Sequence, residues 1–236
     1  MRKVLEMDYC TLSGDIISYT SLEASDRKIL IEKLEDFLIR LDAKYAIFSR
    51  IIKGDYIECV IPNSEEGLKI ALIIKSYIKS LSVLFEKTPE TPRFKLFKTH
   101  GIRIAIGFGE LDRYDPINGV MDGEAIYYSG RAISGNTTYD KKRINIKSTL
   151  FFTSGEKELN ANFEVILNLL DVLLAKATAR QCEVLYLKLL GFTEAEISDQ
   201  LEIGQSAVNQ HSTSVGWTAI QSAVQYFNKK INNYGY

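Results

Sequence analysis

The 236-residue chain is poor in the residues that staple or metallate small domains. It has three cysteines, two histidines and a single tryptophan. Cys10, Cys59 and Cys182 are widely spaced and form no CxxC pair, which argues against a disulfide framework or a zinc site and fits a reducing, cytoplasmic setting. Cys10 and Cys59 fall in apolar, strand-like runs, where a core thiol is expected. His100 and His211 have neither a ligand set nor the partners of a Ser-His-Asp triad. No excess of charge marks the chain, whose formal net charge is -1, so overall basicity points to neither nucleic acid nor membrane. Long hydrophobic runs are also missing. The N-terminal MRKVLEMDYC has no apolar core of the signal-peptide kind. FEVILNLLDVLLAKA (163–177) is too short to span a bilayer and carries a polar stripe of Glu164, Asn168 and Asp171, so it is expected to be a mostly buried helix.

What is present is an alternation of strand and helix signals. Residues 9–17 read as a strand running into Asp15. A helix follows, with Ser21 as its cap and Leu30, Leu34, Phe37, Leu38 and Leu41 on one face. Strands at about 47–52 and 56–61 flank a Lys53-Gly54-Asp55 turn, short enough for a hairpin. Ser64 starts an Ile- and Leu-rich helix to about Phe85. KTPETPR (87–93) reads as a loop because its two prolines forbid regular pairing. HGIRIAIGFGEL (100–111) is a strand, MDGEAIYYSGRAISG (121–135) a helix between Asp122 and Gly135, and INIKSTLFFTS a last strand. The order βαββαβαβ predicts an α+β domain with helices on one face of its sheet, the palm or ferredoxin-like arrangement. Beyond Gly155 every signal is helical, so the expected organisation is an α+β domain over 1–155 and an all-α domain over 156–236. Residues 1–150 carry roughly +2 and residues 151–236 roughly -3, whereas a nucleic-acid reader is normally the basic part of a chain.

Two aspartates stand where strands end: Asp15 in SGDIISYT and Asp55 in RIIKGDYIECVIP. Carboxylates in a partly buried site cost solvation unless something positive offsets them. Mg²⁺, which takes one or two carboxylates plus phosphate oxygens, is one candidate; a helix cap for Asp15 and a plain turn residue for Asp55 are the alternatives. Gly14 and Gly54 each precede an aspartate, where a glycine lets backbone approach a phosphate. GFGEL (107–111) lacks Walker spacing, and Gly107 and Gly109 are better read as a bulge or a close helix approach.

GDI, KGD, IAIGFGEL and MDGEAIYYSGRAI, in that order, resemble the catalytic core of class III nucleotide cyclases, a relative of polymerase palms, and more closely the SatD family. The resemblance runs from about residue 9 to about residue 225. It implies that Asp15 and Asp55 hold Mg²⁺ or Mn²⁺, that Gly14, Ile16, Lys53, Gly54 and Tyr127 lie at a nucleotide, and that Arg131 steadies the transition-state phosphate, a role suited to a permanently charged guanidinium. The chain also departs from the cyclase pattern. Tyr127 stands where cyclases carry an asparagine, and Val120 where they carry a base-reading acid. These departures imply nucleotide sensing without efficient cyclisation, with a nucleotide cyclase or nucleotidyl transferase as the alternative.

The C-terminal ATARQCEVLYLKLLGFTEAEISDQLEIGQSAVNQHSTSVGWTAI has helix-turn-helix spacing. Thr193 and Glu196 form a capping box. Ala195 is the expected buried small residue, with Ile197, Leu201, Ile203 and Val208 as apolar anchors. This stretch resembles sigma-factor region 4 and LuxR-type DNA-binding domains. Gln205, Ser206, Asn209, Gln210 and His211 are the expected DNA contacts, with Ser212 also outward; Gln and Asn suit bidentate contacts to adenine. Few cations accompany them, which predicts weak DNA binding by a monomer. A homodimer would add contacts, and the 163–177 helix is either its surface or a spacer packed between the domains. The expected reading is a cytoplasmic DNA-binding regulator that senses a nucleotide.

Overall fold

The computed structural model describes residues 8–135, 139–140, 143–144, 146 and 148–234. In chain order the elements are β1 (Tyr9–Ile16), α1 (Ala24–Tyr45), β2 (Phe48–Ile52), β3 (Tyr56–Ile61), α2 (Gly67–Ser80), α3 (Pro92–His100), β4 (Ile102–Gly109), β5 (Arg113–Asp115), β6 (Val120–Asp122) and α4 (Glu124–Gly135). There follow β7 (Tyr139–Asp140), β8 (Arg143–Ile144), β9 (Leu150–Ser154), α5 (Lys157–Lys176), α6 (Ala179–Leu189), α7 (Glu194–Leu201), α8 (Gln205–Ser214) and α9 (Trp217–Asn232).

Five strands form one sheet in the order β2-β3-β1-β4-β9, antiparallel except for the β4/β9 pair. The period of two sorts its side chains. Leu12 and Gly14 of β1, Ile57 of β3 and Ile102 and Ile104 of β4 gather on the face that meets Ile74 of α2. Thr11 and Ser13 point the other way, to α4. All eight residues of β4 are buried, as a strand covered on both faces requires. Helices therefore lie on both faces of the sheet, which corrects the expectation of a single covered face. Gly107 makes this possible: a Cβ there would meet the Ala125 carbonyl oxygen at 2.1 Å, so α4 crosses directly on the β4 backbone.

Two further differences from the sequence reading are local. Pro92 does not prolong a loop; it opens α3, whose cap Thr91 accepts from the Phe94 N–H at 3.1 Å, the first-turn position where proline loses no helix bond. The segment after β4 folds into a small β5–β6 hairpin. The expected strand from 144 onward includes residues outside the described ones; of its described residues, Ile144 ends β8 and Leu150–Ser154 form β9.

Helix α2 is buried along nearly its whole length, including Lys75 and Lys79, which are 1% and 2% exposed. Lys75 Nζ donates to the carbonyls of His100 (3.0 Å) and Ile102 (2.7 Å) and to Thr149 Oγ1 (2.6 Å), and lies 3.7 Å from Asp171 of α5. Asp171 in turn accepts from the Thr149 N–H and hydroxyl. One turn on, Lys79 donates to the Leu174 and Ala175 carbonyls at the end of α5. Both cations are thus satisfied by backbone carbonyls, as burial demands. Burial draws the Lys75 ammonium down to about 8 against the pull of Asp171.

The core is continuous across residue 155. Phe152 of β9, Phe163 of α5 and Phe227 of α9 form one aromatic cluster, with centroids 4.6 to 5.9 Å apart. Leu159, Phe163, Leu167, Leu170 and Leu174 of α5 face it, while Val165, Leu169 and Val172 are exposed. A smaller cluster of Val184, Leu187, Ile197 and Val208 holds α6, α7 and α8 together.

Candidate functional site

The β2–β3 hairpin turns through Lys53 (φ 54°) and Gly54 (φ 81°), both left-handed. That tight reversal lays Asp55 beside the end of β1, where the Ile16 N–H donates to the Asp55 carbonyl at 2.9 Å. Asp15 lies opposite Tyr56 on β3 and Arg103 on β4. The two acids feel each other. Burial first, and the Asp15 charge second, push the Asp55 carboxyl above the usual carboxylate range.

Asp15 is also ion-paired with Arg103, whose side chain is only 8% exposed while that of Asp15 is 30% exposed. Arg103 escaped the sequence reading. The signal was there: a lone charge inside an isoleucine strand, on the same alternation as Ala105 and Gly107, has to meet a carboxylate on that face of the sheet. Around this pair the face is polar. Arg50 pairs with Glu58 at 2.7 Å while donating to the Gly119 carbonyl of the β5–β6 turn at 2.8 Å.

Helix α4 is registered on β1 by hydroxyls. Thr11 Oγ1 donates to the Ala125 carbonyl at 2.7 Å, and Ser13 donates to Ser129 at 2.9 Å. Ser129 therefore faces the sheet. Tyr127 and Arg131, each two residues away and so about 200° round the helix, face outward, and both are exposed. The Tyr127 hydroxyl donates to Asp122 at 2.7 Å, and the Arg131 guanidinium lies 5.8 Å from the Tyr127 ring centroid. Neither bonds Asp15 or Asp55 among the described residues.

The remaining expected ligand residues divide. Lys53 is exposed beside Asp55, whose carboxyl it pulls downward as the smallest of four influences. Ile16 is buried. The space a Cβ would take at Gly14 is filled by Ile102, with Cδ1 at 2.8 Å, and a Cβ at Gly54 would lie 3.3 Å from the Tyr19 hydroxyl. Among the described residues no group of three or more His, Cys, Asp or Glu gathers at one point. A two-carboxylate site still suits Mg²⁺ or Mn²⁺, because Mg²⁺ fills its remaining positions with water and phosphate oxygens. Asp15 and Asp55 would be the protein's donors.

Both C-terminal capping boxes close as their sequences require, at Thr178/Gln181 and Thr193/Glu196. Helices α7 and α8 are joined by a three-residue turn in which Glu202 is left-handed. Gln205, Ser206, Asn209 and Gln210 are exposed and His211 half-buried. Ser212 is 4% exposed and bonds Lys188 Nζ at 3.2 Å, so it does not face outward as expected. Ala195 is exposed rather than buried, since Ile197 alone of α7 fills the small cluster completely. His100 is also more confined than its sequence suggested. Burial and the neighbouring lysine Lys75 lower it to about 4, and its Nδ1 has no hydrogen-bond partner among the described residues.

No helix among the described residues is long and apolar enough to cross a membrane. No protein-family model matches the chain, and no curated protein matches it in sequence. Among solved structures, the chain is similar to two of a bacterial light-regulated adenylyl cyclase. One has 17% identity and a TM-score of 0.41, over 62% of this chain and 43% of that one. The other has 16% identity and a TM-score of 0.44, over 62% of this chain and 76% of that one. It is also similar to the adenylyl cyclase CyaB from P. aeruginosa, with 14% identity and a TM-score of 0.37, over 54% of this chain and 71% of that one. At these identities and scores, what the chain does has to be read from its own residues.

Proposed function

We propose that the polar face of the sheet binds a nucleoside triphosphate through a divalent cation held by Asp15 and Asp55. The reading rests on one observation: the β2–β3 turn lays Asp55 beside the end of β1, where Asp15 stands opposite Tyr56 and the Ile16 N–H donates to the Asp55 carbonyl at 2.9 Å, so that the Asp15 charge adds to burial in raising the Asp55 carboxyl. Arg103 already balances Asp15, and a divalent cation would add the counter-charge that Asp55 lacks. The cation would neutralise charge on the phosphates. Arg103 holds Asp15 in place from β4, and Lys53 adds a cation at the open end of the hairpin. The resulting activity is that of a nucleotide cyclase or nucleotidyl transferase, or of a sensor that binds the same ligand without turning it over. Incubating the chain with each nucleoside triphosphate and Mn²⁺, then measuring products by mass spectrometry, separates these. A cyclic or transferred product that disappears in Asp55→Ala supports the enzyme.

Arg131 sits on the outward side of α4, so its expected phosphate role has no support within one chain. Paired copies, in which one chain's α4 meets another's open sheet face, are a proposal that sedimentation of the nucleotide-bound protein would test. A DNA-binding role for α7 and α8 is favoured by the exposed Gln205, Ser206, Asn209 and Gln210. Because residues 151–236 carry a net negative charge, the expected binding is weak and salt-sensitive. An electrophoretic shift lost in a joint Asn209→Ala, Gln210→Ala variant supports that role; a shift unchanged by the substitutions refutes it.

A further inference from the structure

On the α1–α2 side of the sheet, away from Asp15 and Asp55, lies a cavity of about 470 Å³. That is within the size range of small-ligand sites. Helices α1, α2, α6 and α7 and the α6–α7 turn line it, and one side is open to solvent. Its floor is aromatic: Phe37 and Tyr77 stack at 3.7 Å between centroids, and Tyr186 meets both edge-on, at 5.8 and 5.3 Å. The Tyr77 hydroxyl is already committed to the Lys33 carbonyl at 2.9 Å. The Tyr186 hydroxyl makes no hydrogen bond among the described residues.

The rim is cationic. Lys44 Nζ is anchored on the Leu190 carbonyl at 2.7 Å and lies 5.8 Å from the Phe192 ring centroid. Arg40, one turn before Lys44 on the same face of α1, is close enough to act electrostatically on both tyrosine hydroxyls, yet it makes no hydrogen bond or ion pair among the described residues. No carboxylate lines the cavity; Asp36 and Glu183 act on the tyrosines from outside it. Flat aromatic walls reward a planar ring. A guanidinium that is planar and always charged rewards a carboxylate or phosphate at its mouth.

We infer that this cavity is a binding site for a small organic anion with a flat aromatic body, its ring among Phe37, Tyr77 and Tyr186 and its charge at Arg40 and Lys44. Such a ligand would touch the α+β layer through α1 and α2, and the C-terminal helices through α6 and the turn before α7. The inference is independent of the acid pair, which lies at the end of β1 with its side chain on the opposite face.

The test is calorimetry on the full chain with 2-naphthoate and its uncharged counterpart 2-naphthalenemethanol. One saturable site for naphthoate is expected, with the alcohol bound at least tenfold more weakly. Arg40→Gln, at an exposed position and so compatible with folding, should weaken naphthoate at least threefold while leaving the alcohol's affinity unchanged. Phe192→Ala, at the mouth, should weaken naphthoate at least threefold with an unchanged circular dichroism spectrum. Equal binding of the two compounds, undiminished naphthoate affinity in Arg40→Gln, or no saturable binding of naphthoate overturns the inference.

Discussion

Replacing Asp15 with asparagine keeps the shape of the side chain and removes its charge. The cost can be worked from its surroundings. The Arg103 side chain is 8% exposed, so losing the carboxylate leaves a nearly buried guanidinium short of its counter-charge. Breaking a fully buried ion pair from one side costs roughly 3–5 kcal/mol. The Asp15 side chain is 30% exposed, and water screens part of the attraction, so about 2 kcal/mol is expected here. For a chain of this length that corresponds to a fall in Tm of roughly 4–8 °C. Urea denaturation followed by circular dichroism measures it directly. A second variant joining Asp15→Asn to Arg103→Met should recover part of the loss, because the stranded charge is gone. If Asp15→Asn melts with the native protein, the Arg103 pair contributes nothing and the electrostatic account of the β1 end is wrong.

Asp55→Asn should do the opposite. Its folded carboxyl binds a proton more tightly than the unfolded one, so this group favours folding at low pH and that contribution is lost as pH rises through its raised value. The asparagine variant should therefore be slightly more stable than native at pH 7 and no different below about pH 4, as urea titrations at the two pH values would show. Lys75 is depressed from 10.5 to about 8 by burial; between those values the unfolded chain holds more protons and stability from this group rises with pH. Lys75→Met should flatten that rise in melting curves, and Asp171→Ala, which strands Lys75 in the core, should cost about 3–5 kcal/mol. Gly107→Ala places a Cβ 2.1 Å from the Ala125 carbonyl and should cost about 3 kcal/mol, whereas Gly130→Ala, with nothing within 4 Å, should gain roughly 0.5–1 kcal/mol.

Much of the fold was legible because local signals and tertiary demands agreed. The Lys53-Gly54 turn needs left-handed backbone, and Gly54 supplies it at no cost, so the β2–β3 hairpin was readable. Thr193 and Glu196 spelled out their own cap. What stayed hidden depends on partners distant in sequence. Lys75 and Lys79 look like solvated helix positions until the carbonyls of α5 and of the α3–β4 junction meet them. Helix α3 was concealed because proline reads as a breaker unless its first-turn position is known. The juxtaposition of Asp15 with Asp55 was readable from strand order, but the third member, Arg103, required knowing that β4 and not β9 lies beside β1. The direction in which α4 presents Arg131 was likewise hidden: Ser129, two residues earlier, takes the sheet-facing side.

Titrating the native chain and Asp55→Asn with Mn²⁺ and a non-hydrolysable triphosphate in a calorimeter decides whether Asp15 and Asp55 share a divalent cation beneath the phosphates. Saturable binding that needs the metal and vanishes in Asp55→Asn, although that variant folds more stably, is expected. Triphosphate binding that is indifferent to both the metal and the substitution, or no binding at all by the native chain, would contradict it.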